Sequence, residues 1–215
     1  PVTLQEELSR VLPVVKKISA ASKTLISVDT YYPGVMKLAV EAGAHIINDI
    51  NALQTEGALK TAAELNVPVI LMHKKGIPSD MQKNPEYDNV LSEITDFFKE
   101  RIQRAAEAGI REDQIILDPG FGFGKNFRHN YQLLKNLNKL TELGYPVLSA
   151  LSRKTMIGEA NSISSPQDRV IGSVSGALIS VMKGASIVRV HDVSQTRQAL
   201  EIYNAMNSAD LQDAL

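Results

Sequence analysis

Cysteine is missing from all 215 residues, so disulfides and thiolate chemistry are excluded. That absence fits a reducing compartment. Tryptophan is missing too, and aromatics make up only 5%, so Phe121 and Phe123 are a sizeable share of the ring supply. Neither sign of charge is in excess, with 23 Lys and Arg against 24 Asp and Glu. Nothing therefore suggests a broad nucleic-acid or membrane-binding face, although a local phosphate pocket is compatible with this balance. No apolar run is long enough to span a bilayer, and the expectation is a cytoplasmic protein without a signal peptide. What is present is a hydrophobic fraction of 44%, enough for one substantial core in a chain too short to require two domains.

Helical spacing runs from Leu4 to Ile18, opened by Thr3 and Glu6 as a capping box. Short apolar strands then alternate with helices. Strands are predicted over 25–28, 46–47, 68–73, 115–117, 146–151 and 187–190, and helices over 33–42, 56–65, 90–108, 130–143, 167–183 and 194–206. Residues 74–88, with Gly76, Pro78 and Pro85, read as a long polar loop, and 158–166, rich in Ser, Asn and Gly, as a flexible one. The tail from Ala209 frays or adds a turn. A helix followed by six strand–helix units argues for parallel strands buried on both faces. The fold class expected is α/β, a TIM (β/α)8 barrel formed as one domain over 1–215, with function at the C-terminal ends of the strands. A Rossmann-like sheet competes, but Gly120, Gly122 and Gly124 alternate behind Pro119 and do not spell G-x-G-x-x-G. No Ser or Thr follows Lys125, as a P-loop would require. Six strands are visible where a barrel has eight. The expectation is that the first two strands, their loops and the first helix lie outside the sequence, leaving the barrel N-terminally incomplete with exposed, aggregation-prone sheet edges.

The stretch Asp118-Pro119-Gly120-Phe121-Gly122-Phe123-Gly124-Lys125 directly follows the apolar Ile115-Ile116-Leu117. An acid is thus delivered at a strand end, and three glycines let the backbone turn tightly against a neighbour. Asp29, Asn48, His73, Asp118, Ser152-Arg153-Lys154 and Arg189-Val190-His191 follow six successive strands, and a barrel brings them to one mouth. Taken singly, Asp29, Asn48 and Asp118 fit caps or turns equally well. Together they suit the edge of a planar, amide- and amine-bearing heterocycle, which a carboxylate and an amide side chain read by paired hydrogen bonds. Lys154 could donate to a ring carbonyl or nitrogen and stack over the ring. Phe123 is either an apolar wall or a core residue capping the barrel. Arg189 and His191, two apart, share a side if extended, and would form a cationic pocket for phosphate or diphosphate. The alternative is a salt bridge from Arg189 and a buried, hydrogen-bonded His191. Arg153 faces solvent or pairs with Asp168. Lys74 and Lys75 fit a solvated loop better than an anion guide. Gly172-Ser173-Val174-Ser175-Gly176 suits close helix packing first and a phosphate-binding N-terminus second. His73 belongs to no compact metal motif, but a hard metal could be held largely by a substrate diphosphate.

These strand ends, taken in order, resemble those of the dihydropteroate synthase family, and the resemblance covers nearly the whole chain. The Gly-Phe-Gly-Phe-Gly motif, Ser152-Arg153-Lys154 and Arg189-Val190-His191-Asp192 carry it jointly. It implies a pterin-binding barrel of folate biosynthesis. The reaction implied condenses 6-hydroxymethyl-7,8-dihydropterin diphosphate with 4-aminobenzoate to 7,8-dihydropteroate and diphosphate, with magnesium (Mg2+) assisting. Asp29, Asn48, Asp118 and Lys154 match the family's pterin pocket, and Arg189 and His191 its diphosphate site. Ser152, Thr155 and Phe123 lie where aminobenzoate, and the sulfonamides that compete with it, are expected. Asp118, Lys154, Arg189 and His191 are the implied catalytic set. A homodimer using the late helices is implied as well, with no nucleic-acid or membrane partner. The family's early Asn-Val-Thr-Pro-Asp-Ser-Phe and Ser-Thr-Arg-Pro-Gly loops do not occur here, so turnover is expected to need the preceding strands and loops. Two alternatives compete: a pterin-dependent methyltransferase, and a catalytically silent pterin-binding regulatory subunit.

Overall fold

The computed structural model describes residues 2–76 and 85–209. The middle of the expected 74–88 loop, including Pro78, and nearly all of the tail lie outside them. Helix α1 (Leu4–Ala21) is followed by β1 (Ser27–Asp29), α2 (Pro33–Glu41), β2 (Ile46–Asp49), α3 (Ala58–Leu65), β3 (Val69–Met72) and α4 (Val90–Glu107). Then come β4 (Ile115–Asp118), α5 (Phe127–Lys135), α6 (Leu137–Thr141), β5 (Leu148–Ser149), α7 (Thr155–Asn161), α8 (Val170–Met182), β6 (Ile187–Val188) and α9 (Val193–Ser208). All pairings are parallel and run in chain order, β1 through β4 in one sheet and β5 with β6 in another. A bridge from Leu117 to Val147 links the two sheets. Six parallel strands alternating with helices form part of a (β/α)8 barrel, as the strand spacing predicts.

The phase of each strand decides what reaches the mouth. Val69, Leu71, Ile115 and Leu117 point outward into the cluster under the helices, with Phe98, Ile94, Leu133 and Leu137. Ile70 and Ile116 point inward and meet Leu148 and Ala150. Successive side chains alternate faces, so Asp118, two beyond Ile116, emerges on the inner side. The same parity carries Asn48 beyond Ile46 and Arg189 beyond Ile187, which pairs with Leu148, while Lys154 lies past the end of β5, after the left-handed Arg153. Val188 and Val190 take the other phase and line a groove against Leu200 of α9. Phe98 and Leu117 are fully buried, each contributing about 2–3 kcal/mol by leaving water.

Local chemistry redraws several predicted boundaries. The single helix expected over 130–143 is two, because Asn136 leaves helical geometry at φ −108°, ψ 20°. It also begins earlier, where Asn126 caps α5 by accepting from the His129 N–H at 2.9 Å. The loop expected over 158–166 is largely ordered by α7 and by Arg169, whose guanidinium donates to the carbonyls of Ile163, Ser164 and Arg153. The last two strands and α8 are shorter than predicted, with β5 and β6 reduced to two residues each, whereas α9 extends beyond its predicted 194–206 at both ends. The small residues of α8 serve packing: a Cβ on Gly176 would lie 2.5 Å from Leu151 Cδ1, and one on Gly172 2.6 Å from Ile157 Cγ2.

Candidate active site

One side of the mouth is built on β1, β2 and β4. Asp118 is buried at the end of β4, its Oδ1 accepting from Gly120 N–H at 2.8 Å. Burial raises its pKa; the nearby Lys154 and the Gly120 N–H pull it back. Asn48 is also buried, and its Oδ1 has no hydrogen-bond partner among the described residues. Such an orphaned acceptor calls for a ligand donor or a water. Asp29 sits beside it, its carboxyl raised by burial and lowered by Arg189 and by a bond from the Asn48 side chain.

Beneath Asn48, Asp49 anchors the turn after β2. Its two carboxylate oxygens accept from Asn51 N–H at 2.7 Å and Leu53 N–H at 2.9 Å. Buried Arg101 donates to the carbonyls of Ala52 and Leu53, which hold left-handed φ of 50° and 58°. Burial pushes the Asp49 carboxyl up to about 6 despite these donors.

The glycine turn lies directly against the exit of β3. At Gly120, φ is +66°, and a Cβ there would fall 1.9 Å from the His73 carbonyl oxygen. Gly120→Ala is therefore expected to cost about 3 kcal/mol or more, combining a left-handed penalty with a backbone clash. A thermal melt should fall by several degrees, and an unchanged melting temperature would reject the close approach. Lys125 is buried beneath this turn, its Nζ within 2.9 Å of His73 Nδ1, 2.9 Å of Gly120 O and 3.1 Å of Phe123 O.

Lys154 sits on the other side of the turn. Its Nζ donates to Phe121 O at 2.5 Å and lies 4.6 Å from the centre of the Phe123 ring. Burial lowers its pKa to about 8, while Asp118 pulls it up and Arg189 lowers it further. Phe123 is a half-buried wall; its neighbour Phe121 is the fully buried core residue. Phe123, Lys154 and Thr155 line a cavity of about 640 Å³ with Met156 and Arg169. A second cavity of about 190 Å³ is lined by Lys154, Ser152, Arg189, His191, Ala150 and Val190. Lys154 therefore stands at the junction of the two.

The structure brings Arg189 and His191 together, as their spacing predicts. Arg189 reaches Asp29 at 3.4 Å, joining the ends of β6 and β1. His191 is exposed rather than buried, and its Nδ1 lies 3.0 Å from Ser152 Oγ. Ser152 accordingly opens on the Arg189 cavity and not on the one lined by Phe123 and Thr155. Arg153 does not pair with Asp168. It forms a two-pronged ion pair with Asp192 at 3.0 and 2.6 Å, because its left-handed φ of 58° swings it toward the end of β6. Lys75 is not a free surface charge: it bonds Glu93 at 2.9 Å and lies over Tyr87. Asp192, Asp49, Arg101 and the Lys125–His73 contact were not assigned roles from the sequence. Only the polar residues flanking each motif hinted at them.

The chain matches the pterin binding enzyme family over residues 1–191. It is 47% identical over 208 residues to the dihydropteroate synthase of Escherichia coli K12, covering 97% of this chain and 73% of that one. Among solved structures, the Xanthomonas albilineans dihydropteroate synthase in complex with 7,8-dihydropteroate superposes with a TM-score of 0.93 at 45% identity, covering 97% of this chain and 77% of that one. A Yersinia pestis dihydropteroate synthase in complex with a sulfonamide drug superposes at 0.95 with 48% identity, over 97% and 76% of the two chains.

Proposed function

The chain belongs to the dihydropteroate synthases, and from that premise we propose how its strand ends divide the family's reaction. That reaction condenses 6-hydroxymethyl-7,8-dihydropterin diphosphate with 4-aminobenzoate, giving 7,8-dihydropteroate and diphosphate. Asp29, Asn48 and Asp118 read the N–H edge of the pterin. The unpartnered Oδ1 of Asn48 accepts one of those donors. Arg189 and His191 receive the diphosphate, with Ser152 holding the imidazole. Phe123 and Thr155 enclose the aminobenzoate in the larger cavity, where a sulfonamide would compete.

The chemistry at the methylene is a displacement. The carbon–oxygen bond breaks, its electron pair leaves with the diphosphate, and the pterin ring shares the positive charge that develops. The aromatic amine then forms the carbon–nitrogen bond and loses its proton to water. Arg189 and Lys154 stabilise charge growing on the leaving oxygens, and the Asp118 carboxylate favours the electron-poor ring. The single observation that carries this reading is Lys154 at the junction of the two cavities, beside Asp118 and Arg189. Supplying both substrates to the protein together with the family's preceding strands and loops should release diphosphate and dihydropteroate in equal amounts. Methyl transfer without diphosphate would favour a pterin-dependent methyltransferase, and tight pterin binding without turnover a silent subunit.

Magnesium is proposed as a companion of the diphosphate. Among the described residues no three His, Asp or Glu side chains converge to hold a metal, so these residues do not by themselves form its site. Phosphate oxygens would supply most of its ligands, a common mode for this ion. Among the described residues no helix is long and apolar enough to cross a membrane, and a cytoplasmic setting fits a pathway of small soluble substrates.

A homodimer through α8 and α9 is proposed from their exposed apolar side chains. Ile171 is 83% exposed and Met182 57% on α8; Ile202 is 74% and Met206 60% on α9. Soluble surfaces rarely leave such a cluster uncovered. Ile171→Asp with Ile202→Asp should convert a dimer into a monomer in sedimentation velocity. A wild-type protein that sediments as a monomer would reject the proposal.

A further inference from the structure

The carbonyls of the turn from Gly120 to Gly124 are held by the side chains of Lys125, directly after the turn, of Lys154 and of Tyr87, and Gly120 O also accepts from Phe123 N–H at 3.1 Å. Gly120 O and Phe123 O accept from Lys125, Phe121 O from Lys154, and Gly124 O from Tyr87 Oη at 2.9 Å. On the amide side, Gly122 N–H donates to Asn130 Oδ1 at 2.8 Å. The two lysines therefore hold adjacent peptide groups of one turn. Lys125 does so while almost completely buried, at 2% exposure. Among the described residues no carboxylate lies within ion-pair distance of it; its third acceptor is His73 Nδ1. An aliphatic side chain would fill this space at lower cost than a buried ammonium. The ammonium does what an aliphatic chain cannot, which is to fix the direction of two carbonyls and one imidazole.

We propose that Lys125 and His73 form a positioning pair for the synthase reaction: His73 seats the buried ammonium, and the ammonium fixes the Gly120–Gly124 turn and with it Phe123 and Lys154 against the aminobenzoate. The pair rests on the functional reading given above. A protonated Lys125, with Gly120 O, Phe123 O and His73 Nδ1 as its three acceptors, sets His73 as the Nε2–H tautomer. Burial first, and Lys125 next, holds the imidazole neutral by lowering its pKa. Its ring lies edge-on to Phe97, 4.9 Å between centres, which locks its plane. Asp118 on β4, Lys154 at the start of α7, Lys75 at the β3 exit and His129 on α5 are the other charged or titratable groups facing the pair. Burial lowers Lys125 to about 7, with Asp118 pulling it up and Lys154 pushing it down. Both act here on the turn rather than on the reacting carbon, with Lys125 also bordering the larger cavity. Their effect passes through Phe121 O and the Phe123 ring, so it should fall on the aminobenzoate more than on the pterin.

His73→Asn and His73→Leu separate positioning from bulk folding. Asparagine presents Oδ1 close to where Nδ1 stands, so it keeps the acceptor; leucine removes it. In steady-state assays of the active enzyme, His73→Leu should raise the KM for aminobenzoate about tenfold and leave that for dihydropterin diphosphate within about threefold. His73→Asn should stay within about threefold of the unsubstituted enzyme for both. Calorimetric binding of the pterin diphosphate to His73→Leu reports that the barrel is folded. On the unsubstituted protein, nitrogen-15 NMR should find His73 neutral with its proton on Nε2 at neutral pH. The proposal is overturned if asparagine is as damaging as leucine, if both KM values rise together, if neither variant moves them, or if the proton sits on Nδ1. Absence of dihydropteroate synthesis by the unsubstituted enzyme would remove the functional reading instead, and the tautomer would still decide the pair.

Discussion

Asp118→Asn is expected to lower affinity for the dihydropterin diphosphate about 10³-fold while leaving the barrel as stable as before, or more so. The first half follows from the acceptors. Asp118 carries two oxygens into the mouth and spends Oδ1 on Gly120 N–H at 2.8 Å. The lone pairs that remain can take adjacent N–H groups of a pterin as charge-assisted bonds. At about 2 kcal/mol each, two such bonds amount to ~10³ in affinity. Asparagine replaces one oxygen by a donor and turns it toward the ligand's own donors. The second half follows from linkage. Burial raises the Asp118 carboxyl above its ordinary value of 3.8. A group with a raised folded pKa contributes stability that is complete below the unfolded value and lost as pH rises through the folded one. At neutral pH the buried Asp118 is thus a burden on the unliganded fold, which asparagine relieves. Melting curves should show the variant level with or above wild type at pH 7, and the gap should close near pH 4. Calorimetry should show the loss of binding. Wild-type affinity in the variant would remove Asp118 from the pterin site.

The same separation between fold and site explains what the residues alone made legible. The apolar run Ile115-Ile116-Leu117 marks a strand that delivers Asp118 at its C-terminal end, while a run buried on both faces does not itself say which way Asp118 points. The same regular alternation of strand and helix puts Lys154, Arg189 and His191 at strand ends, and the structure brings these three to one cavity. Contacts between distant segments have no such periodic signature. Arg153 finds Asp192, 39 residues on, only because of a left-handed turn that its sequence does not announce. Lys125 finds His73 across 52 residues because glycine lets two backbones touch. The break at Asn136 and the order of α7 were lost for a related reason. Propensity alone does not see the carbonyls that Arg169 gathers from Ile163, Ser164 and Arg153. Ser152 was assigned to the aminobenzoate with its neighbours in sequence. Past the end of β5, it lines the other cavity, beside His191.

Arg189→Ala should strike turnover harder than any other single change on the anion side, with little effect on folding. Both members of the Arg189–Asp29 pair are open to water, at 63% and 43% side-chain exposure and 3.4 Å apart. An ion pair that open to water is worth at most about 1 kcal/mol, so the melting temperature should barely move. The guanidinium's other role is larger. As the methylene–oxygen bond breaks, negative charge accumulates on the departing diphosphate, and a preorganised cation at that point is typically worth about 3–4 kcal/mol. The expected loss in kcat is therefore ~10²–10³. Binding of the dihydropterin without its diphosphate should stay within about threefold. Arg189→Lys restores the charge but not the fork of donors, and should recover only part of the rate. A secondary effect identifies the contact itself. Arg189 lowers the pKa of the Asp29 carboxyl, so removing it should let that carboxyl rise further. If Asp29 reads the pterin while ionised, the acid limb of pterin binding should then move to higher pH in Arg189→Ala. A pH titration of binding measures that displacement, and the expected sign is fixed. Unaltered kcat together with an unmoved acid limb would mean that Arg189 faces neither the diphosphate nor Asp29 in the working enzyme.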